Sequence, residues 1–468
     1  MTVDGQIHLS DVPDTLLHTL QKMLTVSNPA FQSALRMGRP TYGIKRNIML
    51  YEIKNNEFIV PRGLWLTIWN MRPAGTVKHL QVNQLPEINF PNNSILLLPH
   101  QERALQAIAT LGYPQGVIVM PCGSGKTETA MELIARTKQP ALWITHTHDL
   151  VEQAVNRAQR RLGLHGAEIG VLAGGQRTVG THLTVATVQT LNHLELDDYA
   201  ALFGMVVVDE CHRVVNNPET ASMFAAVLSQ FPAKYRFGLT ASDTRSDGLT
   251  DTIFHVLGDK VVDVSQETLN ISGKVIIPAI QPVCTAFEYL PASGESPVNF
   301  QRLQKFMAAD RRRNDMIIAY LQNELLNKRS CLVLASGLDV LKTLYEAIRT
   351  IGISAAFVCG GTKKADRTQA LKEMQSGAVK CLFATYQLAK EGLDIPCLSC
   401  LVLASPVRNM VSVQQSIGRV MRTAAEKTDA IVYDFVDKKV GVCKSQYTTR
   451  KRVYKSLHCE IRKEIIYD

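Results

Sequence analysis

Residues 119–128 read VMPCGSGKTE. The apolar run GVIVM delivers the chain to Pro121, and a helix is expected to begin near Gly125. A strand end that feeds a glycine-bearing turn and then a helix N-terminus aims backbone N–H groups, and the positive end of the helix dipole, at one point. That point is where a phosphate sits. One residue departs from a phosphate-binding loop: glycine is expected six places before the lysine, and Met120 stands there. Met120 suits a loop that leaves its strand in ordinary β geometry, so the cradle of Cys122, Gly123, Ser124 and Gly125 survives. Lys126 then reaches the terminal phosphates, and Thr127 places its hydroxyl on Mg²⁺.

A second stretch supports the first. In MVVVDECH, residues 205–212, four apolar residues make a buried strand whose end presents Asp209 and Glu210. Adjacent carboxylates at a strand terminus divide two tasks, Asp209 holding the metal and Glu210 orienting and deprotonating the attacking water. A guanine nucleotide would call for an N-K-x-D stretch. The only Asn-Lys, in NKRS at 327, lacks the aspartate, which favours ATP.

Composition sets the frame. A chain of 468 residues that is 46% hydrophobic can bury more than one core. Its net charge of +9 suits a polyanionic partner or an ordinary solvated surface. Nine Lys or Arg against three Asp or Glu fall between Lys438 and Asp468, making that tail either an electrostatic nucleic-acid contact or simply a soluble end. The N-terminus MTVDGQIHLSD has no basic region followed by an apolar run, and no stretch approaches 18 uninterrupted apolar residues, so a cytoplasmic protein with no membrane contact is expected. Ten cysteines scattered through apolar runs suit a reducing compartment. Cys397 and Cys400 read as buried small hydrophobes rather than half of a zinc site.

From residue 117 onward, short apolar runs (GVIVM, PALWITH, HLTVATV, MVVVDE, RFGLTAS, and later RSCLVLAS, AAFVCGG, VKCLFAT, CLVLASP) alternate with longer amphipathic segments. Strands buried on both faces look like this, and the repeated strand–helix order implies parallel sheets. The stretch ISGKVIIPAIQPVCTAFEYLPASGESP breaks the alternation and places a junction near residue 265. Residues 1–90 mix helix, turns and strands and read as a small α+β domain. The expected class is thus α/β, with domains at 1–90, 91–265 and 266–468.

The motifs P-C-G-S-G-K-T, D-E-C-H and G-L-T-A-S at 238–242, followed by ATYQLAKEGLDIP at 384–396 and QQSIGRVMR at 414–422, resemble a superfamily 2 helicase motor with two tandem RecA-like domains. The resemblance spans roughly 95–440. The P-C-G-x-G-K form and ASDTRSDG at 241–248 resemble the XPB-like and UvsW-like branch, with Ser242 and Asp243 in place of its usual Thr-Pro. The resemblance implies ATP and Mg²⁺ as cofactors and an adenine-reading role for Gln101. It places Gly392, Asp394 and Gln415 at the nucleotide. His212, Thr240 and Ser242 are candidates for relaying the γ-phosphate state, or are satisfied hydrogen-bond partners in buried turns. Arg419 and Arg422, three apart, are expected on one helix face, reaching across a cleft to the phosphate like arginine fingers.

The resemblance further implies phosphate grips at Thr145, Gln153, Gly174, Gly175, Thr187 and Gln189, and at Gly360, Arg367 and Thr385 in the second domain. Such contacts set register without reading bases. The segment ALRMGRPTYGIKRN either binds duplex or packs. YTTRKRVYKS, residues 447–456, either stacks on nucleic acid or lies as a helix on the second domain. The implied activity is a monomeric ATP-dependent helicase acting on forked, branched or single-stranded DNA, of UvsW-like branch-migrating kind, in host cytoplasm if the source is a phage. The alternatives are a duplex translocase, an RNA helicase and a nucleotide-gated binding module.

Overall fold

A computed structural model describes the chain except residues 92–94, 122, 213–217, 242–248, 266–274, 292–297, 393–394, 425–426 and 468, and the side chains of 218–222 and 390–392. Apart from the short loop Cys122–Ser124, the chain divides into two compact units, Met1–Val264 and Ser265–Asp468.

In the first unit, eight strands form a sheet in the order Gln176–Arg177, Ile169–Ala173, Leu183–Thr187, Ala141–Thr145, Met205–Val208, Tyr235–Thr240, Gln115–Val119 and Lys260–Asp263. All neighbours are parallel except the hairpin of the first two. The central strands read as continuous apolar runs because helices cover both faces; Leu142, Trp143, Ile144 and Met205 to Val208 have no solvent exposure. Burying each such side chain contributes roughly 1.5–3 kcal/mol. Parallel pairing brings all the strand C-termini to one edge, where the candidate site lies.

Residues 1–80 build a second, smaller sheet, ordered Glu52–Lys54, Glu57–Pro61, Gln6–Leu9, Thr2–Val3 and His79–Leu80. Its own core includes Ile7, Leu20, Leu24, Val60 and Ile68. This part is nonetheless locked onto the larger sheet. Arg62, buried, donates to Gln115 Oε1 at 2.9 Å and to the carbonyls of Ala233 and Lys234 at 2.6 and 2.7 Å. Buried Arg236 returns the contact with a bond to the Gly5 carbonyl at 3.2 Å. Burial pushes the Arg62 guanidinium down to about 10, with Asp4 opposing.

The second unit holds seven parallel strands in the order Ala355–Val358, Cys381–Thr385, Ser330–Ala335, Leu398–Leu403, Ile431–Val436, Ala279–Cys284 and Ile465–Ile466. Cys331, Cys381 and Cys400 sit in register on three adjacent strands, wholly buried. They serve as core residues, as the apolar runs around them suggested, and the described cysteines are all free thiols. Among the described residues no helix is long and apolar enough to cross a membrane, and no cluster of three or more His, Cys, Asp or Glu could hold a metal.

The basic tail resolves into packed structure. Helix Gly441–Ser456 lies on the sheet, with Arg450 paired to Asp434 through bonds of 2.9 and 2.7 Å, both side chains buried. Tyr454 donates to the same carboxylate at 2.5 Å, and Tyr447 donates to Glu464 at 3.0 Å. Tyr447 and Tyr454 are therefore interior residues and cannot stack on bases.

Candidate nucleotide and nucleic-acid site

Strand Gln115–Val119 and helix Lys126–Thr137 flank the loop as expected. Met120 explains its own presence. Its N–H continues the sheet ladder to the Thr240 carbonyl at 2.9 Å, its side chain is wholly buried, and its φ is not positive. The left-handed turns fall instead at Gly123 and Gly125, with φ of 84° and 79°. Gly125 is the helix N-cap and supplies no side-chain acceptor to the first turn. A Cβ there would stand 2.2 Å from Gln101 Nε2. The opening turn of a twelve-residue helix thus keeps its N–H groups for an external anion.

Lys126 folds back over the loop, its ammonium donating to the Met120 carbonyl at 3.1 Å. Ser124 is buried and Thr127 half-buried at the start of the helix. Gln101 is buried against the loop: its Oε1 accepts from Leu98 N–H at 2.8 Å, and its Nε2 donates to the Gly125 carbonyl at 3.4 Å. Cys122 lies outside the described residues.

The acidic pair closes onto this loop. Strand Met205–Val208 ends in Asp209, whose Oδ1 accepts from Glu210 N–H at 2.9 Å. That bond holds Glu210 at φ 50°, a left-handed conformation that costs a non-glycine residue on the order of 1 kcal/mol and recurs at functional sites. Glu210 Oε2 lies 3.1 Å from His212 Nδ1, which lies 3.3 Å from the Thr240 hydroxyl. Thr240 in turn accepts the Met120 N–H. The loop and the acid are therefore joined through Met120, Thr240, His212 and Glu210. The buried Cys211 thiol reports the same convergence. Burial pushes it well above its usual range, Glu210 and Asp209 push it further, and Lys126 pulls it back. Charges from two motifs, the Asp209–Glu210 pair and Lys126, act on one sulfur. Ser242, in the coupling set, lies outside the described residues.

The other half of the sheet edge carries the proposed grips. Gly174 and Gly175 form the exposed turn of the hairpin, beside His148. Gln189 is exposed and donates to the His146 carbonyl at 3.3 Å, and Gln153 is half-buried on helix His148–Leu162. Two of the expected grips differ. Thr145 has no solvent exposure, and Thr187, also buried, caps helix Val188–Asn192 by accepting from Thr190 N–H at 3.4 Å. Both are the last residues of paired strands; Thr187 is held in the turn it caps, whereas the buried Thr145 hydroxyl has no hydrogen-bond partner among the described residues.

In the second unit, Gly360 and Thr385 follow or end neighbouring strands; Gly360 is exposed, and Thr385 Oγ1 accepts from Leu388 N–H at 3.4 Å. Arg367 is half-buried on helix Lys364–Ser376. Gly392 ends helix Tyr386–Gly392, and Asp394 lies outside the described residues. Gln415 is buried on helix Met410–Val420, with an Oε1 that accepts no hydrogen bond among the described residues. Arg419, in the last turn, donates to the Ala389 carbonyl at 3.2 Å.

The expected single helix face for the two arginines is corrected. The helix ends at Val420, and Arg422 lies beyond the cap, in a β-bridge with Val275. The chain leaves the helix because Ile276 N–H pairs with the Met421 carbonyl at 2.8 Å. Sequence reasoning missed the residue that fixes this exit. Lys427 donates to the carbonyls of Val420 and Arg422 at 2.6 and 2.7 Å, and its only sequence signal is a cation shortly after a helix end.

Comparison with known proteins agrees with this geometry. The family described as "Type III restriction enzyme, res subunit" matches residues 94–245, and the family described as "Helicase conserved C-terminal domain" matches 312–424. A protein of Acanthamoeba polyphaga mimivirus, named as an ATP-dependent RNA helicase, is 27% identical over 90% of this chain and 83% of its own. The DNA 3'-5' translocase XPB2 of Sulfurisphaera tokodaii is 24% identical over 80% and 89%. The structure of S. cerevisiae Dbp5 bound to RNA and ADP BeF3 shares the fold, with a TM-score of 0.57 and 15% identity over 87% of this chain and 93% of that one. With two matched helicase families in the expected order and an ATP loop joined to its acids, the chain belongs to the superfamily 2 helicases, enzymes that hydrolyse ATP.

Proposed function

We propose that this helicase is a DNA motor of the XPB-like and UvsW-like kind, remodelling forked and junction DNA by strand separation or branch migration. The observation that carries the reading is the division of one sheet edge. Strands ending at Val119, Val208 and Thr240 lead into the glycine-bearing loop and the acids, and beyond the adjoining strands ending at Ala173 and Thr187 lie the exposed Gly174, Gly175 and Gln189. Opening a duplex costs about 1.4 kcal/mol per base-pair step, whereas exchanging one duplex for another is nearly balanced. A motor that grips phosphates without reading bases suits that exchange.

In this reading ATP supplies the phosphoanhydride whose hydrolysis drives the cycle. The N–H groups of Gly123 to Thr127 cradle its phosphates, and Lys126 leaves the Met120 carbonyl to meet them. The hydroxyl of Thr127 and the carboxylate of Asp209 are oxygen donors suited to Mg²⁺. Glu210 orients a water and takes its proton, and His212 passes the loss of that charge to Thr240. Arg419 and Arg422 supply cationic charge to the transferring phosphoryl group. Gln101, Gln415, Gly392 and Asp394 complete the nucleotide contacts, and Gly174, Gly175, Gln153, Gln189, Gly360, Arg367 and Thr385 hold the strand.

The test is ATPase rate with single-stranded, blunt duplex, forked and four-way DNA and with RNA, alongside strand displacement on the forked substrate. Stimulation greatest on branched DNA supports the reading. Equal stimulation by every polymer, or none, rejects it. RNA is the second reading, favoured by the name of the mimivirus relative, and preferential stimulation by RNA would select it.

A further inference from the structure

Two of the three tryptophans of the chain lie one turn apart on helix Trp65–Met71, far from any predicted motif. Their rings stack with centroids 5.3 Å apart and planes 20° from parallel. Cations cover the stack. The Arg72 guanidinium stands 3.6 Å from the centre of the Trp69 ring, and the Lys78 ammonium stands 5.1 and 5.2 Å from Trp65 and Trp69. The rings are half-buried and both cations are exposed.

A cation lying on an aromatic face keeps its outward N–H donors free for an anion. Arg72 gives one donor to the Trp69 carbonyl. Neither cation pairs with a carboxylate among the described residues, and the sequence holds no Asp or Glu between Glu57 and Glu87. Met71, Val77 and Leu80 around the cluster are 39%, 63% and 54% exposed. Unneutralised cations beside flat apolar rings complement a polyanion with flat apolar faces, which describes a nucleic-acid strand. An acidic peptide would supply the charge but not the planes.

The cluster is also mechanically tied to the motor. Gly63, just before its helix, sits so close to the chain at Phe254 and His255 that a Cβ would come within 2.4 Å of both carbonyls. Buried Arg62 beside it is bonded to the large sheet. A strand held here would move with the first unit.

We propose that Trp65, Trp69, Arg72 and Lys78 form an additional nucleic-acid contact, with Arg72 and Lys78 taking backbone phosphates and the solvent-exposed part of the indole pair meeting an unpaired base. The assignment rests on the motor reading only in taking nucleic acid as the polyanion.

Tryptophan fluorescence tests it directly, because Trp143 is wholly buried and gives a constant background. The full chain is titrated without ATP with single-stranded DNA, single-stranded RNA, blunt duplex and polyglutamate. Saturable quenching by the single strands, but not by polyglutamate, is expected. Arg72→Gln with Lys78→Gln should weaken single-strand binding about tenfold and lower the log–log salt slope by about 1.4, the value for two lost phosphate contacts. Arg72→Lys with Lys78→Arg, which keeps both charges, should bind within about twofold of the parent and controls for folding. Equal quenching by polyglutamate, unaltered binding by the glutamine variant, or no quenching at all overturns the assignment. If quenching is absent while DNA still stimulates ATPase, the motor reading stands without this contact; if both are absent, it falls as well.

Discussion

Replacing Lys427 with methionine should cut kcat for ATP and leave KM nearly unchanged. Its ammonium holds the carbonyls of Val420 and Arg422 at 2.6 and 2.7 Å, which fixes the path by which the chain leaves its helix and so the position of Arg422. Hydrogen bonds to a charged group contribute about 1.5–3 kcal/mol each, so losing both frees the segment. A misplacement of about 1 Å at a charge-stabilising group costs on the order of a hundredfold. We therefore expect kcat to fall about tenfold to a hundredfold, with binding to the first unit intact.

Burial pushes the Lys427 ammonium from 10.5 down to about 8; Arg422 adds to the shift, and Cys397 and Asp429 oppose it. The parent should then lose activity as pH rises through 8, since the lysine is about nine-tenths charged at pH 7 and about one-tenth at pH 9. Stability has the opposite sign. A lysine whose folded pKa lies below its unfolded one penalises the fold fully below pH 8 and not at all above 10.5. After allowing for the solvent that reaches it, this group stabilises the fold by about 1–2 kcal/mol on going from pH 7 to 10.5. Steady-state ATPase from pH 6.5 to 9.5, with thermal unfolding over the same range, separates the two trends. Lys427→Arg should keep its charge and flatten the activity decline. A methionine variant with parental kcat, or a parent whose rate is flat from pH 7 to 9.5, would refute the reasoning.

Glu210→Gln should lower kcat about 10²–10⁴-fold while retaining ATP binding, read by single-turnover hydrolysis and nucleotide retention. Gly125→Ala should abolish ATP binding, because its φ of 79° and a Cβ 2.2 Å from Gln101 Nε2 both deform the cradle; equilibrium binding of a fluorescent ATP analogue measures this. Arg450→Met leaves the Asp434 carboxylate buried without its cation and should destabilise the second unit by about 3–5 kcal/mol in urea unfolding.

The parallel sheets were legible because buried strands declare themselves as apolar runs, and the phosphate loop because its chemistry is contiguous. Lys126 comes from one motif and the Asp209–Glu210 pair from another; the acidic pair alone is common surface chemistry, and it was legible as part of a site because the loop stands upstream. Residues whose meaning depends on a distant partner were not legible. Arg450 counted as surface charge until Asp434, sixteen positions away, was seen to neutralise it, and Arg62 gave no hint of its carbonyl partners at Ala233 and Lys234. The helix carrying Arg419 was expected to include Arg422. It stops earlier, where an isolated bridge from Val275 and the Ile276 N–H claim the backbone at Arg422 and Met421, and no local propensity records that pairing.

Met120 shows how a missing glycine can be informative. Glycine is required where φ is positive or where a backbone must pass close by, and Met120 meets neither condition because it directly follows strand Gln115–Val119 and continues its hydrogen-bond ladder. Its N–H belongs to the Thr240 carbonyl and its own carbonyl to Lys126, and the Thr240 hydroxyl lies 3.3 Å from His212 Nδ1, so the strand, Lys126 and His212 are all within two hydrogen bonds of this residue. A buried apolar side chain anchors that junction where glycine would leave it loose. In the cycle we propose, Lys126 would release the Met120 carbonyl to meet phosphate, and that change would begin on the same run of contacts that leads through Thr240 and His212 to Glu210.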